Sequence, residues 1–161
     1  MQLRQANIDD IDFILSQERR DEYATFITLW SRDEHNKNIT NPDKRYFIIE
    51  NESGQPSGYV ILSGLQSLNR SIELTRIVVT KPGSGYGKRV LPILIKMIFD
   101  EYKAHRLWLD VFEHNQRARY VYQTCGFKEE GVLREAVKQG DNYSSLVIMS
   151  ILESEYYTAN T

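Results

Sequence analysis

The chain has 161 residues, 41% of them hydrophobic and 26% charged, which is ordinary for a globular protein and long enough for a single core-forming domain over 1–161. A net charge of −2 argues against a general nucleic-acid binder, and no apolar run approaches the length of a membrane span. The single cysteine, Cys125, rules out an internal disulfide framework; with an N-terminus that does not read as a signal peptide, it points to a reducing, cytoplasmic compartment.

Leu3 to Ala6 reads as a short first strand. Asn7 then has the character of an N-cap, with Asp10 three residues on, opening a helix through Ile11, Ile14 and Leu15 that charge ends near Arg19–Glu22. Phe26, Ile27, Leu29 and Trp30 suggest a second, weaker helical region. Arg45–Glu50 and Gly58–Leu62 read as a hairpin about Asn51–Gln55, and Ser71–Thr80 as the next strand. Lys88–Lys103 carries Leu91, Leu94, Ile95, Ile98 and Phe99 on one side of a helix, whose first turns Pro92 should bend or tighten. Arg106–Val111 alternates as a short strand, Asn115 caps a helix that ends at Gly126, and two final strands run from Phe127 and over Ser145–Leu152. A hairpin, one strand–helix–strand crossover and terminal strands predict an α/β fold with a mixed, mostly antiparallel sheet.

The segment Pro82-Gly83-Ser84-Gly85-Tyr86-Gly87-Lys88-Arg89 joins an apolar strand to a helix. Such a loop gathers main-chain N–H groups at the positive end of a helix dipole, which suits a phosphorylated ligand. Glycine keeps the approach open and tolerates positive φ. A Walker loop requires a glycine where Pro82 stands and a hydroxyl where Arg89 stands, so a small P-loop nucleotide binder is the weaker rival. The dinucleotide pattern fails in both frames, at Lys88 and at Val90.

Glu73-Leu74-Thr75-Arg76-Ile77-Val78-Val79-Thr80-Lys81-Pro82-Gly83-Ser84-Gly85-Tyr86-Gly87 resembles the acetyl-CoA motif of the GNAT superfamily of N-acetyltransferases. Asn115-Gln116-Arg117-Ala118-Arg119-Tyr120-Val121-Tyr122-Gln123-Thr124-Cys125-Gly126-Phe127 resembles its second motif. The tail from Gly131 to Ser150 is similar to the subgroup of ribosomal-protein N-terminal and spermidine acetyltransferases. Pro82 departs from the Gln or Arg that usually opens the loop, and Pro92 from the usual Ala or Leu. The resemblance implies the acyl-CoA N-acyltransferase fold and a cytoplasmic enzyme that moves an acetyl group from acetyl-CoA to a primary amine by direct transfer in a ternary complex. A non-catalytic acetyl-CoA sensor on the same fold is the alternative.

Acetyl transfer from a thioester requires a neutral amine, a donor for the oxyanion and a proton for the departing thiolate. By resemblance Glu73 is the candidate base and Tyr122 the candidate acid. Ile77, Val78 and Val79 would offer main-chain groups to the cofactor arm and the oxyanion, with Asn115 beside the arm's amides. Gly83, Ser84, Gly85, Tyr86 and Gly87 would hold the pyrophosphate with Lys88 and Arg89, aided by Lys81, while Arg117 and Arg119 would reach the adenosine end. Cys125 reads as a structural thiol, and His35, His105 and His114 lack metal-ligand spacing, so no metal is expected. The acceptor is a small-molecule amine or a protein N-terminus, with no nucleic-acid or membrane partner. The acid-leaning front half offers Glu22, Asp33 and Glu34, and Glu129 lies downstream. Polyamine, antibiotic, amino acid and protein terminus all stay open, and a homodimer is the family-level expectation.

Overall fold

The computed structural model describes residues 1–161. Seven strands form one sheet: β1 (Gln2–Gln5), β2 (Lys44–Glu50), β3 (Pro56–Ser63), β4 (Ser71–Val79), β5 (Arg106–Phe112), β6 (Lys128–Gln139) and β7 (Asn142–Leu152), in the spatial order β1-β2-β3-β4-β5-β7-β6. Every neighbouring pair is antiparallel except β4–β5. That parallel pair is the crossover, made through α3 (Tyr86–Lys96). The other helices are α1 (Ile11–Glu18), α2 (Arg32–Ile39), α4 (Gln116–Thr124) and α5 (Glu153–Ala159).

Strand alternation divides the core into two layers. Behind the sheet, Leu107, Leu109 and Val111 of β5 and Val147, Met149 and Ile151 of β7 pack with Leu91, Leu94, Ile98 and Phe99. In front, Ile11, Ile14 and Leu15 of α1 cover Tyr46, Ile48, Tyr59 and Ile61. β4 changes allegiance midway. Ile72 and Leu74 face the rear layer, but after a register shift opposite Ile61/Leu62 it is Val78 that enters the front layer. A bulge at this point re-aims every side chain beyond it.

β4 and β5 pair only over Ser71–Glu73 and Arg106–Trp108, and then part. The remaining length of β4, Leu74 to Val79, thus presents an unpaired edge to the side where β5 would have continued. This fork creates the cleft described below.

The second helix departs from expectation. Phe26–Trp30 is turn and coil after a 3-10 turn at Asp21–Tyr23, and the helix lies farther on, at Arg32–Ile39. The apolar residues are spent on packing and on walling the cleft, with Ile27 and Trp30 against the front layer. α2 buries only His35; it starts because Ser31 and Glu34 form a capping box. The central helix opens two residues earlier than its apolar pattern suggests, with Gly85 as N-cap, and runs on beyond Lys96 as a wide π-type turn, Met97–Glu101. Pro92 sits inside α3, where its missing N–H leaves the Lys88 carbonyl without the usual intrahelical donor.

Candidate active site

The glycine segment forms the floor at one end of a cleft of about 930 Å³. Gly83 and Gly85 have φ of +83° and +82°, left-handed values that a Cβ disfavours. They turn the chain so that α3 begins pointing into the cleft, and its first N–H groups have no intrahelical acceptor. A Cβ on Gly83 would come within 2.5 Å of the Arg117 guanidinium, which lies against this turn. Lys88 also lines the cleft, its ammonium 5.1 Å from the Tyr120 ring centroid. Main-chain donors plus two cations make an electropositive cradle that fits a diphosphate.

Some residues expected here face elsewhere. Ser84 folds back, its N–H and hydroxyl both donating to the Lys81 carbonyl, and it does not line the cleft. Arg89 turns to Glu52 and to the Tyr86 ring. Arg119 is held by Glu129 at 2.9 Å and by the Glu113 carbonyl at 2.8 Å. Asn115 does line the cleft and also caps α4, its Oδ1 accepting the Ala118 N–H at 3.2 Å.

The open edge of β4 follows ladder alternation. The Thr80 N–H donates to the Ser57 carbonyl on β3, and two residues back Val78 stands opposite Tyr59. The Val78 main-chain groups are therefore directed to β3, and those of Ile77 and Val79 to the fork. Val79 does not present a bare amide: its N–H donates to the Tyr23 hydroxyl at 3.0 Å, and that hydroxyl donates to the Val79 carbonyl. Of the three residues expected to supply the edge, Ile77 and Val79 line the cleft, while Val78 buries its side chain in the front layer.

Glu73 and Tyr122 reach the same cleft from β4 and α4. Burial pushes the Glu73 carboxyl above the usual range, the nearby Asp110 carboxylate adds to this, and Lys44 partly opposes it. The Tyr122 ring packs edge-on against Phe127, with centroids 5.5 Å apart. Burial, and then the negative field of Asp110, hold its phenol protonated well beyond neutral pH. Sequence reading missed Asp110. It sits on β5 two residues past the last β4–β5 pair; the residue is solvent-exposed, and the cleft around it desolvates its carboxyl in part and raises it too. Its only sequence signal is the alternation of β5, which puts Trp108, Asp110 and Phe112 on the front face opposite Leu107, Leu109 and Val111.

Beneath the far end lies a buried polar network. Glu18 bonds His35 Nε2 at 2.9 Å, the Tyr59 hydroxyl at 3.0 Å and Arg76 at 2.8 Å, and His35 Nδ1 meets the Tyr46 hydroxyl at 2.9 Å. Arg76 also donates to the Thr28 carbonyl and stacks 4.5 Å over the Trp30 ring. The network thereby ties the Phe26–Trp30 segment, which walls the cleft, to the sheet. Of the acidic residues considered for the acceptor, Glu34 is spent on capping α2, Glu129 on Arg119, and Glu22 pairs with Arg20 at the cleft rim.

Comparison with known proteins agrees with this geometry. The Acetyltransferase (GNAT) family model matches residues 11–127. Spermidine N(1)-acetyltransferase of Vibrio cholerae is 28% identical over 151 residues, covering 93% of this chain and 86% of that one. The Escherichia coli K12 enzyme of the same name is 26% identical, over 83% of this chain and 71% of its own length. The crystal structure of the Vibrio cholerae spermidine N-acetyltransferase in complex with CoA and spermine superposes with a TM-score of 0.85, at 27% identity and 97% coverage of both chains. The parted β4–β5 pair, the glycine cradle at the start of α3 and the matched family model lead to one conclusion: the chain belongs to the GNAT acetyltransferase family and is an acetyl-CoA-dependent N-acetyltransferase.

Proposed function

We propose that the acceptor is a polyamine of the spermidine or spermine type, acetylated on a primary amine in a ternary complex, with Glu73 as base and Tyr122 as acid. The observation that carries this reading is Glu73, an unpaired carboxylate in a cleft walled by Phe26, Trp30 and Phe112. A carboxylate beside aromatic faces attracts an alkylammonium by charge and by cation–π contact. That relatives in Vibrio cholerae and Escherichia coli are spermidine N(1)-acetyltransferases points the same way.

Acetyl-CoA supplies the acetyl thioester. Gly83, Gly85, Tyr86 and Gly87 would hold its diphosphate through main-chain N–H groups, with Lys88 and Arg117 supplying charge; Ile77 and Asn115 would meet its arm. An alkylammonium, with a pKa of about 10.4, is almost wholly protonated at neutral pH, so the site must remove a proton before nitrogen can attack. Glu73, with its raised affinity for a proton, accepts it more readily than an exposed carboxylate does. The Tyr122 phenol, held protonated by burial, is suited to give a proton to the departing sulfur. A dimer of one-domain protomers in the cytoplasm completes the reading. Val132 and Leu133 on the exposed edge strand β6 offer an apolar contact, and sedimentation measures its mass.

Thiol release from acetyl-CoA, followed across spermidine, spermine, a simple monoamine and a peptide with a free N-terminus, tests the acceptor. The polyamines are expected to give the highest kcat/KM. Preference for the peptide would overturn the polyamine reading.

A further inference from the structure

We infer that Asp110 is the second carboxylate of the acceptor site, forming with Glu73 a paired receptor that draws in the acceptor's ammonium and takes up the proton this nitrogen must lose. The inference rests on Glu73 acting as the base.

The strand register sets the pairing. Glu73 stands opposite Trp108, and Asp110 lies one alternation farther along β5, on the same face, where the two strands have begun to part. Both side chains line the cleft, one on each prong of the fork. Neither is engaged by a cation or a hydrogen-bond donor of the protein. The other acidic groups around the front layer are engaged: Glu18 by Arg76 and His35, Glu22 by Arg20.

The neighbours on every packed element leave the pair open. On β2, the Lys44 ammonium is tied at 2.9 Å to the hydroxyl of Ser63, the β3 residue directly opposite Glu73, and only partly offsets its charge. On β4, the Arg76 guanidinium is turned to Glu18 and to the Thr28 carbonyl. Tyr122 on α4 and Tyr23 on the turn after α1 contribute neutral phenols. Two carboxylates that line one cleft, neither of them paired directly with a cation, repel each other, and a bound cation or a shared proton relieves that repulsion. A polyamine supplies the cation, and its reacting nitrogen supplies the proton.

The protons balance. The acceptor nitrogen loses one proton to the carboxylate pair, becomes neutral and forms the C–N bond to the acetyl carbon. As the C–S bond breaks, the sulfur takes the Tyr122 proton, and Tyr122 recovers the second proton of the same nitrogen. The pair then releases its proton to solvent, for a net yield of one proton per turnover.

The test uses the full chain carrying Asp110→Asn or Asp110→Glu, with kcat/KM for spermidine measured between about pH 6 and 9 at saturating acetyl-CoA. The Asn variant is expected to lose at least about tenfold in kcat/KM near neutral pH, with the KM for acetyl-CoA within about twofold. Because a like charge beside Glu73 is removed, the acid limb of its profile should move to lower pH, and Asp110→Glu should restore most of both. Calorimetric binding of acetyl-CoA checks each variant's fold, and Asp110→Ser replaces the Asn variant if that one fails to bind. An unchanged rate with an unmoved acid limb overturns the inference. Full activity in Glu73→Gln instead sinks the parent reading, whatever the Asp110 variants do.

Discussion

Tyr122→Phe is expected to cut turnover on a polyamine by at least tenfold while leaving the dissociation constant for acetyl-CoA unchanged. Only the hydroxyl is removed, and the ring that packs on Phe127 stays. A positioned general acid contributes about 10²–10⁴-fold, so the loss should appear in kcat and not in binding. Burial and the field of Asp110 keep the phenol protonated well above neutral pH. Wild-type kcat should therefore show no basic limb from Tyr122 in the neutral range. Stopped-flow detection of the free thiol, with calorimetry for acetyl-CoA, separates the two effects. Unaltered turnover would remove Tyr122 from the chemistry.

The second large effect is on stability. Glu18→Gln should lower the unfolding free energy by about 3–5 kcal/mol, because it leaves the buried Arg76 guanidinium without its counter-charge. Burial opposes the charge on Glu18, but the hydrogen bond from His35 and the charge of Arg76 outweigh it, so its carboxyl is held below the ordinary value. The sign follows by linkage. A depressed folded value contributes stability that is present above the unfolded carboxylate pKa and is lost as pH falls through the folded one. Urea midpoints of wild type and variant should therefore converge in acid and stay apart at neutral pH. Arg76 also holds the Thr28 carbonyl and stacks on Trp30, so the same variant should raise the polyamine KM more than the acetyl-CoA KM. An Arg76→Met partner change should be non-additive with it.

The parts of the molecule set by local rules were legible in the residues themselves. The loop glycines read as residues that tolerate positive φ, and Gly83 and Gly85 adopt it while Gly87 lies inside α3; Asn115 and Gly126 read as the two ends of a helix and Asn51–Gln55 as a hairpin turn, and these adopt those roles. The resemblance then brought Glu73, Tyr122 and the glycine loop together, and the structure gathers them in one cleft. What stayed hidden depends on distant partners. α2 has no apolar stripe and is fixed by a cap, and the apolar Phe26–Trp30 run serves packing without being helical. Glu18, His35 and Arg76 lie 17 to 58 residues apart, and nothing local announces that they meet. Asp110 belongs to no motif; it gains meaning only where β5 leaves β4. Arg89 and Arg119 read as equal to Lys88 and Arg117 in charge, but nearby glutamates engage them.

The fork between β4 and β5, a cleft that carries the glycine cradle and is also lined by Glu73 and Asp110, is the physical core of the proposed transfer. A single-turnover experiment addresses it most directly. Protein loaded with one equivalent of acetyl-CoA is mixed with spermidine, quenched and weighed by mass spectrometry. N-acetylated spermidine and free CoA thiol are expected in equal amounts, with the protein mass unchanged at every time point. An acetylated protein intermediate, or thiol released without acetylated amine, would contradict it.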